Sequence, residues 1–263
     1  MIGWNYLLYF FIAALVLSSV GFYKYVYFLS IGYGFAIAGL GVMMLIMFGK
    51  EMKTVSIIGC VLFIVYGARL SGFLLYREIK SASYRKTMKD DIKIDKPIPF
   101  FVKLAIWITV AVLYAIQVSP VFYRVYNGST DAVLPYIAIA ISAIALVIET
   151  LADIQKDQQK KVNPNKVATE GLYKIVRCPN YFGEILFWTG VFVGGITTYQ
   201  SVGQWIIASL SYVSIVYVMF NGAQRLEKRQ MGHYGNNADY QAYVNKTPII
   251  IPLVPIYHLN KQI

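Results

Sequence analysis

Seven times between Trp4 and Gly222 this chain runs through roughly twenty residues with very little charge. A helix rises 1.5 Å per residue, so about 20 apolar residues cover the ~30 Å hydrocarbon core of a bilayer. The runs fall at 4–20, 25–48, 54–76, 99–118, 132–152, 181–199 and 202–222. They predict an all-α membrane protein: one domain over 1–263, built as a bundle of seven transmembrane helices. Composition agrees. The chain is 57% hydrophobic with a mean hydropathy of +0.54, above an ordinary soluble domain. The first run lacks the basic stretch and small-residue cleavage site of a removable leader. The expected setting is a multi-pass position in a bacterial inner membrane or an endoplasmic reticulum.

Net charge is +11. With spans this apolar, that excess points to cytosolic loops, anionic lipid or an anionic cofactor, and not to nucleic acid. Of the 24 basic residues, 19 fall in the loops that are cytosolic if the N-terminus is outside. Only Lys50, Lys53 and Arg124 fall in the outer loops, and Arg69 and Lys103 lie within spans. Positive charge stays inside, so the N-terminus is expected outside and the C-terminus in the cytosol. Two cysteines, Cys60 and Cys178, form no CxxC pair. The histidines, His233 and His258, make no ligand cluster with them, so no metal is expected.

The polar exceptions are informative. Tyr66 and Arg69 sit inside the third run. Glu149 and Asp153 end the fifth, four residues apart and so on one helix face. The sixth begins at Pro179, which suits a first helical turn, and carries Asn180 and Glu184, again four apart. Arg225, Glu227 and Arg229 follow the seventh. Single lysines such as Lys156 or Lys166 read as boundary residues reaching the headgroups. Short-stemmed carboxylates reach poorly, and an intramembrane charge is costly unless paired or hydrated. A polar cavity at the cytosolic end is therefore expected. Lys160, Lys161, Lys174, Arg177, Arg225 and Arg229 suit phosphates. Free N–H groups at the start of the sixth helix suit them too. Glu149, Asp153, Asn180 and Glu184 suit hydroxyls, an amide or an adenine edge. Together these describe a nucleotide cofactor, although no GxGxxG or GxxxxGK[ST] motif is present.

The run "ADIQKDQQKK … GLYKIVRCPNYFGEILFW", continued by "RLEKRQ … DYQAYVNKTPIIIPLVP", resembles the membrane-embedded steroid 5-alpha-reductase family and its DUF1295-type bacterial relatives. It covers about the last 120 residues. "YGARLSGFLLYR" resembles the family's third helix more weakly. The resemblance implies a seven-helix bundle that reduces a carbon–carbon double bond conjugated to a carbonyl, using NADPH from the cytosolic side. It implies that 1–125 supplies the substrate-side helices and 126–263 binds the cofactor. Asn180 and Glu184 would contact the cofactor, and Glu149 and Asp153 would hold the nicotinamide amide. Lys160 or Lys161, Arg177 and Arg225 would take its phosphates, with Tyr173, Tyr240 and Tyr243 beside it. Tyr66 would polarise the substrate carbonyl, with Arg69 one turn deeper. The partners implied are a lipophilic small molecule and membrane lipid, with no obligate protein.

Two departures stand out. Steroid enzymes of the family pair that tyrosine with a glutamate between the first two helices. This chain has no acidic residue before Glu51. Many relatives read Arg-His-Pro where this chain has Arg177-Cys178-Pro179. A membrane methyltransferase using S-adenosylmethionine shares an Arg-His-Pro-x-Tyr-x-Gly signature and is the competing enzyme class. A non-enzymatic lipid-binding protein is the third reading. The missing histidine and the glutamate of NYFGE favour the reductase.

Overall fold

The computed structural model describes residues 1–80, 98–130 and 133–260. Arg85, Lys86, Lys89, Lys93, Lys96 and Lys261, counted above as cytosolic, lie outside the described residues. Among the described residues there are nine α-helices and no strand. They are α1 (Trp4–Ser18), α2 (Ile31–Phe48), α3 (Thr54–Lys80), α4 (Phe100–Gln117) and α5 (Ser119–Tyr126). Then come α6 (Val133–Val162), α7 (Pro179–Gly195), α8 (Val202–Tyr234) and α9 (Ala238–Lys246).

Among the described residues six stretches are long and apolar enough to cross a membrane: α1 with the 3₁₀ turn that extends it to Phe22, α2, α3, α4, α6 and α8. The sixth expected span is α7. Its 17 residues give about 26 Å, a little short of the ~30 Å core. The second run opens with a 3₁₀ turn, Tyr25–Leu29, and its α-helix, α2, starts only at Ile31. α6 and α8 run on well past the apolar stretches read from sequence, to Val162 and Tyr234.

The chain forms two compact units, Met1–Tyr136 with Gly194–Ser211, and Ile137–Val193 with Tyr212–Ile263. The first unit takes in Gly194–Ser211, which lies within the half expected to begin at 126.

In the first unit α2 and α3 cross at glycines. A Cβ on Gly67 would lie 2.1 Å from the Gly34 carbonyl oxygen, and one on Gly41 would lie 2.8 Å from that of Cys60. Backbones this close need residues without side chains at the crossing. Ser71 Oγ donates to the Ile31 carbonyl across the same contact, 2.8 Å. The loop between α1 and α2 is tied to α3 by an ion pair between Lys24 and Glu78. α5 was not expected from sequence. Pro120 opens it, and it turns Arg124 inward, where Nη1 donates to the Gly194 carbonyl at 3.0 Å. This cation, assigned above to an outer loop, is 4% exposed.

In the second unit α6 shows two faces. Ala138, Ser142, Ala145, Glu149 and Ala152 are buried, whereas Ile137, Ile144, Val147, Leu151 and Ile154 are exposed. Large apolar residues outward and small ones inward is the pattern of a helix in lipid, where close backbone approach drives packing. α7 meets the small stripe. A Cβ on Gly190 would lie 2.7 Å from the Ala138 carbonyl, and Ser142 Oγ donates to the Phe187 carbonyl at 3.0 Å.

Candidate functional site

The second unit holds every residue assigned above to the cofactor. The loop joining α6 to α7 takes its shape from α6. Gln159 Oε1 accepts the N–H groups of Thr169 and Glu170 at 2.9 and 3.0 Å. One turn earlier, Gln155 Oε1 accepts Leu172 N at 2.9 Å. Between them Gly171 adopts φ +67°, and a Cβ there would sit 2.4 Å from Gln155 Oε1. The loop then enters a 3₁₀ turn, Gly171–Lys174. Tyr173 is buried here, and its hydroxyl donates to the Ala152 carbonyl at 3.2 Å. Tyr243 of α9 donates to the Tyr173 carbonyl at 2.7 Å. Burial pushes the Tyr243 hydroxyl well above its ordinary pKa, so it stays a donor. Both tyrosines thus brace the loop. Tyr240 is buried with its ring 5.7 Å from that of Tyr234.

Pro179 starts α7, with Phe182 N bonded to the Cys178 carbonyl at 3.0 Å. Asn180 is half-buried in this first turn. Glu184, one turn on, is 6% exposed and accepts the Trp188 indole N–H at 3.0 Å. Across from it on α6, Glu149 is 2% exposed. A Cβ on Gly183 would lie 2.5 Å from Glu149 Cγ, so a glycine lets the α6 carboxylate's stem lie against α7. Asp153 is half-buried one turn further. The structure therefore brings Glu149 against the Gly183–Glu184 turn. Cys178 is buried, and burial pushes its thiol up to about 12, far from a thiolate nucleophile.

The cations divide. Arg177 does not face solvent. Its side chain is 3% exposed, and Nη2 donates to Glu227 Oε1 at 2.8 Å and to the Tyr257 carbonyl. Glu227 is equally buried. Its other oxygen accepts Leu259 N, Asn260 N and Asn260 Nδ2 at 2.9, 3.0 and 2.8 Å. His258 Nδ1 lies 3.1 Å from Oε1. Arg177 thus clasps the C-terminal tail to α8. The lone acid of the "RLEKRQ" run is the only sequence signal for this clasp. Lys161 pairs with Asp157 at 2.8 Å and Lys174 with Glu170 at 2.6 Å, both on the surface, where such pairs stabilise little. Lys160 Nζ donates to Tyr234 Oη at 3.0 Å and to the Pro164 carbonyl at 3.1 Å. An open groove of about 600 Å³ borders that tyrosine, lined by Asn165 and residues 231–237. Arg225 and Arg229 are exposed on α8.

Tyr66 and Arg69 belong to the first unit. Tyr66 is fully buried, with its ring 5.9 Å from that of Tyr33 of α2 and nearly perpendicular to it. Tyr33 in turn stacks on Tyr114 of α4 at 5.0 Å. The Tyr114 hydroxyl is committed to the Phe28 carbonyl at 2.5 Å. Arg69 is half-buried.

The six stretches among the described residues that are long and apolar enough to cross a membrane mark a membrane protein. The family model described as "Protein of unknown function (DUF1295)" matches residues 16–247, and the chain belongs to that family. No curated protein and no solved structure matches the chain.

Proposed function

We propose that this protein is a seven-span membrane reductase of the steroid 5-alpha-reductase kind. In this reading α7 is the seventh span, the N-terminus is outside and the C-terminus is cytosolic. The enzyme uses NADPH to reduce a carbon–carbon double bond conjugated to a carbonyl in a lipophilic substrate. The observation that carries it is the pair Glu149 and Glu184, 2% and 6% exposed on neighbouring helices. Ionisable groups at such places in membrane helices mark a polar ligand or pathway.

The residues present fit the cofactor. Asn180, Glu184, Glu149 and Asp153 offer amide and carboxylate partners at the α6–α7 contact. Lys160, Arg225 and Arg229 offer phosphate partners at the same end of the second unit's chain, and the groove beside Tyr234 gives room for a polar group. Arg177 supports the site through the clasp. When bound, the nicotinamide supplies a hydride. In the first unit, the Tyr66 hydroxyl donates a hydrogen bond to the substrate's carbonyl oxygen, where negative charge grows.

Binding is the test. The purified protein in detergent is expected to bind NADPH in a fluorescence or calorimetric titration. Asn180→Ala and Glu184→Ala should each weaken it by about 1–3 kcal/mol, the cost of one buried hydrogen bond. Glu184→Gln keeps an acceptor for Trp188 and separates loss of charge from loss of packing. Binding of S-adenosylmethionine in place of NADPH would replace this reading with the methyltransferase one. The orientation is tested separately by reporter fusions. A fusion at Lys160 should report cytosol and one at Asn127 should not; a cytosolic signal at Asn127 would overturn the seven-span topology.

A further inference from the structure

After α9 the chain carries no Asp, Glu, Lys or Arg from Thr247 to Asn260. This stretch does not trail away from the protein. Arg177 N and Cys178 N donate to the carbonyls of Pro248 and Ile249 at 2.8 and 2.9 Å. Ile249 and Ile250, each 1% exposed, share one apolar cluster with Ile185 of α7 and Ala223 of α8. Val216, Met219 and Phe220 pack on the same cluster, as do Ile251 and Ile256 of the tail. Those α8 residues precede its first charged side chain, Arg225, and so belong to its membrane-spanning part. The tail has doubled back past the polar end of α8 to the level of its apolar span.

The segment is closed on itself. Ile249 N donates to the Ile256 carbonyl at 2.9 Å, and Ile256 N to that of Val254 at 2.7 Å. Pro248, Pro252 and Pro255 bring no N–H at all. Six N–H groups are left in 249–256, and those of Ile249, Val254 and Ile256 are bonded within it, which lowers the cost of a non-helical segment in a bilayer. At the tip stands Leu253, 97% exposed and held at φ +64°. It is the one non-glycine at positive φ among the described residues. A strained backbone that presents a large apolar side chain outward makes sense only if the surroundings favour that side chain there.

We infer that residues 249–256 form a re-entrant clip in the bilayer leaflet at the C-terminal end of α8, with Leu253 among the acyl chains. Lys228 and Lys246, both exposed, are cations suited to anionic headgroups beside such a clip. The inference rests on membrane embedding alone and is independent of the proposed reaction.

Leu253→Cys, labelled with an environment-sensitive maleimide fluorophore, tests it in nanodiscs of phosphatidylcholine and phosphatidylglycerol. Cys60 and Cys178 are buried, and the unsubstituted protein gives the labelling background. Asn236→Cys, on an exposed turn, is the aqueous control. At 253, lipids spin-labelled along the acyl chain should quench strongly, and aqueous iodide several-fold less than at 236. Val254→Cys reports the same loop should the first variant be misfolded. Iodide quenching equal to that at 236, without quenching by lipid, would overturn the inference. So would protection from iodide that grows with protein concentration without lipid quenching, which would mark a protein interface.

Discussion

Arg177→Leu is expected to destabilise the protein by about 3–5 kcal/mol, the usual loss when one member of a buried ion pair is removed. Both side chains are 3% exposed, so no water stands ready to solvate the Glu227 carboxylate left behind. Three donors from Leu259 and Asn260 remain on it, but its full charge has lost its guanidinium. Thermal unfolding in detergent should show the loss. Limited proteolysis should cut earliest after Thr247, because Arg177 also holds the Tyr257 carbonyl. Arg177→Lys should recover part of the stability only, since its shorter side chain does not carry a nitrogen to the place of Nη2, which alone reaches both Glu227 and the Tyr257 carbonyl. The double variant Arg177→Leu/Glu227→Leu should be less unstable than the two single losses added together. If Arg177→Leu unfolded normally and lost only NADPH affinity, Arg177 would be a phosphate ligand, as the sequence alone suggests.

Tyr66→Phe is expected to lower turnover by roughly 10²–10³, the loss that follows removal of one oxyanion donor. The substitution keeps the ring, and with it the edge contact to Tyr33. NADPH affinity, assigned to the second unit, should stay where it is. Tyr114 is a poor substitute donor, because its hydroxyl is already held by the Phe28 carbonyl. Single-turnover assays with a panel of lipophilic enones, followed at the nicotinamide band, give the readout. Unchanged turnover in Tyr66→Phe would remove Tyr66 from the chemistry and leave the cofactor site to be judged by the Asn180 and Glu184 titrations.

Six of the seven expected spans were legible because a membrane helix is written in one local property, the length of an uncharged run. α5 was not legible. Eight residues are too few for a periodic signal, and Arg124 reads as a loop cation until Gly194, 70 positions on, supplies its carbonyl. The clasp made by Arg177 was hidden on the same grounds. Its partner is 50 residues away, and nothing local separates a buried guanidinium from one awaiting a phosphate. Tyr173 and Tyr243 read in the sequence as cofactor neighbours, and their hydroxyls hold backbone carbonyls of α6 and of the loop. A hydroxyl committed to the protein's own backbone looks, in a sequence, like one free to meet a cofactor.

The two glutamines of α6 have a consequence for how this protein can change. Gln155 and Gln159 grip the loop at 169–172 by its main chain alone. Every residue type except proline carries the N–H they grip. The loop's path is thus encoded in the helix beneath it, and the side chains at 169, 170 and 172 are released from specifying it. Only Gly171 remains fixed, by its φ and by Gln155. Drift or design can therefore re-letter the approach to α7 while the frame that presents Asn180 and Glu184 stays in register.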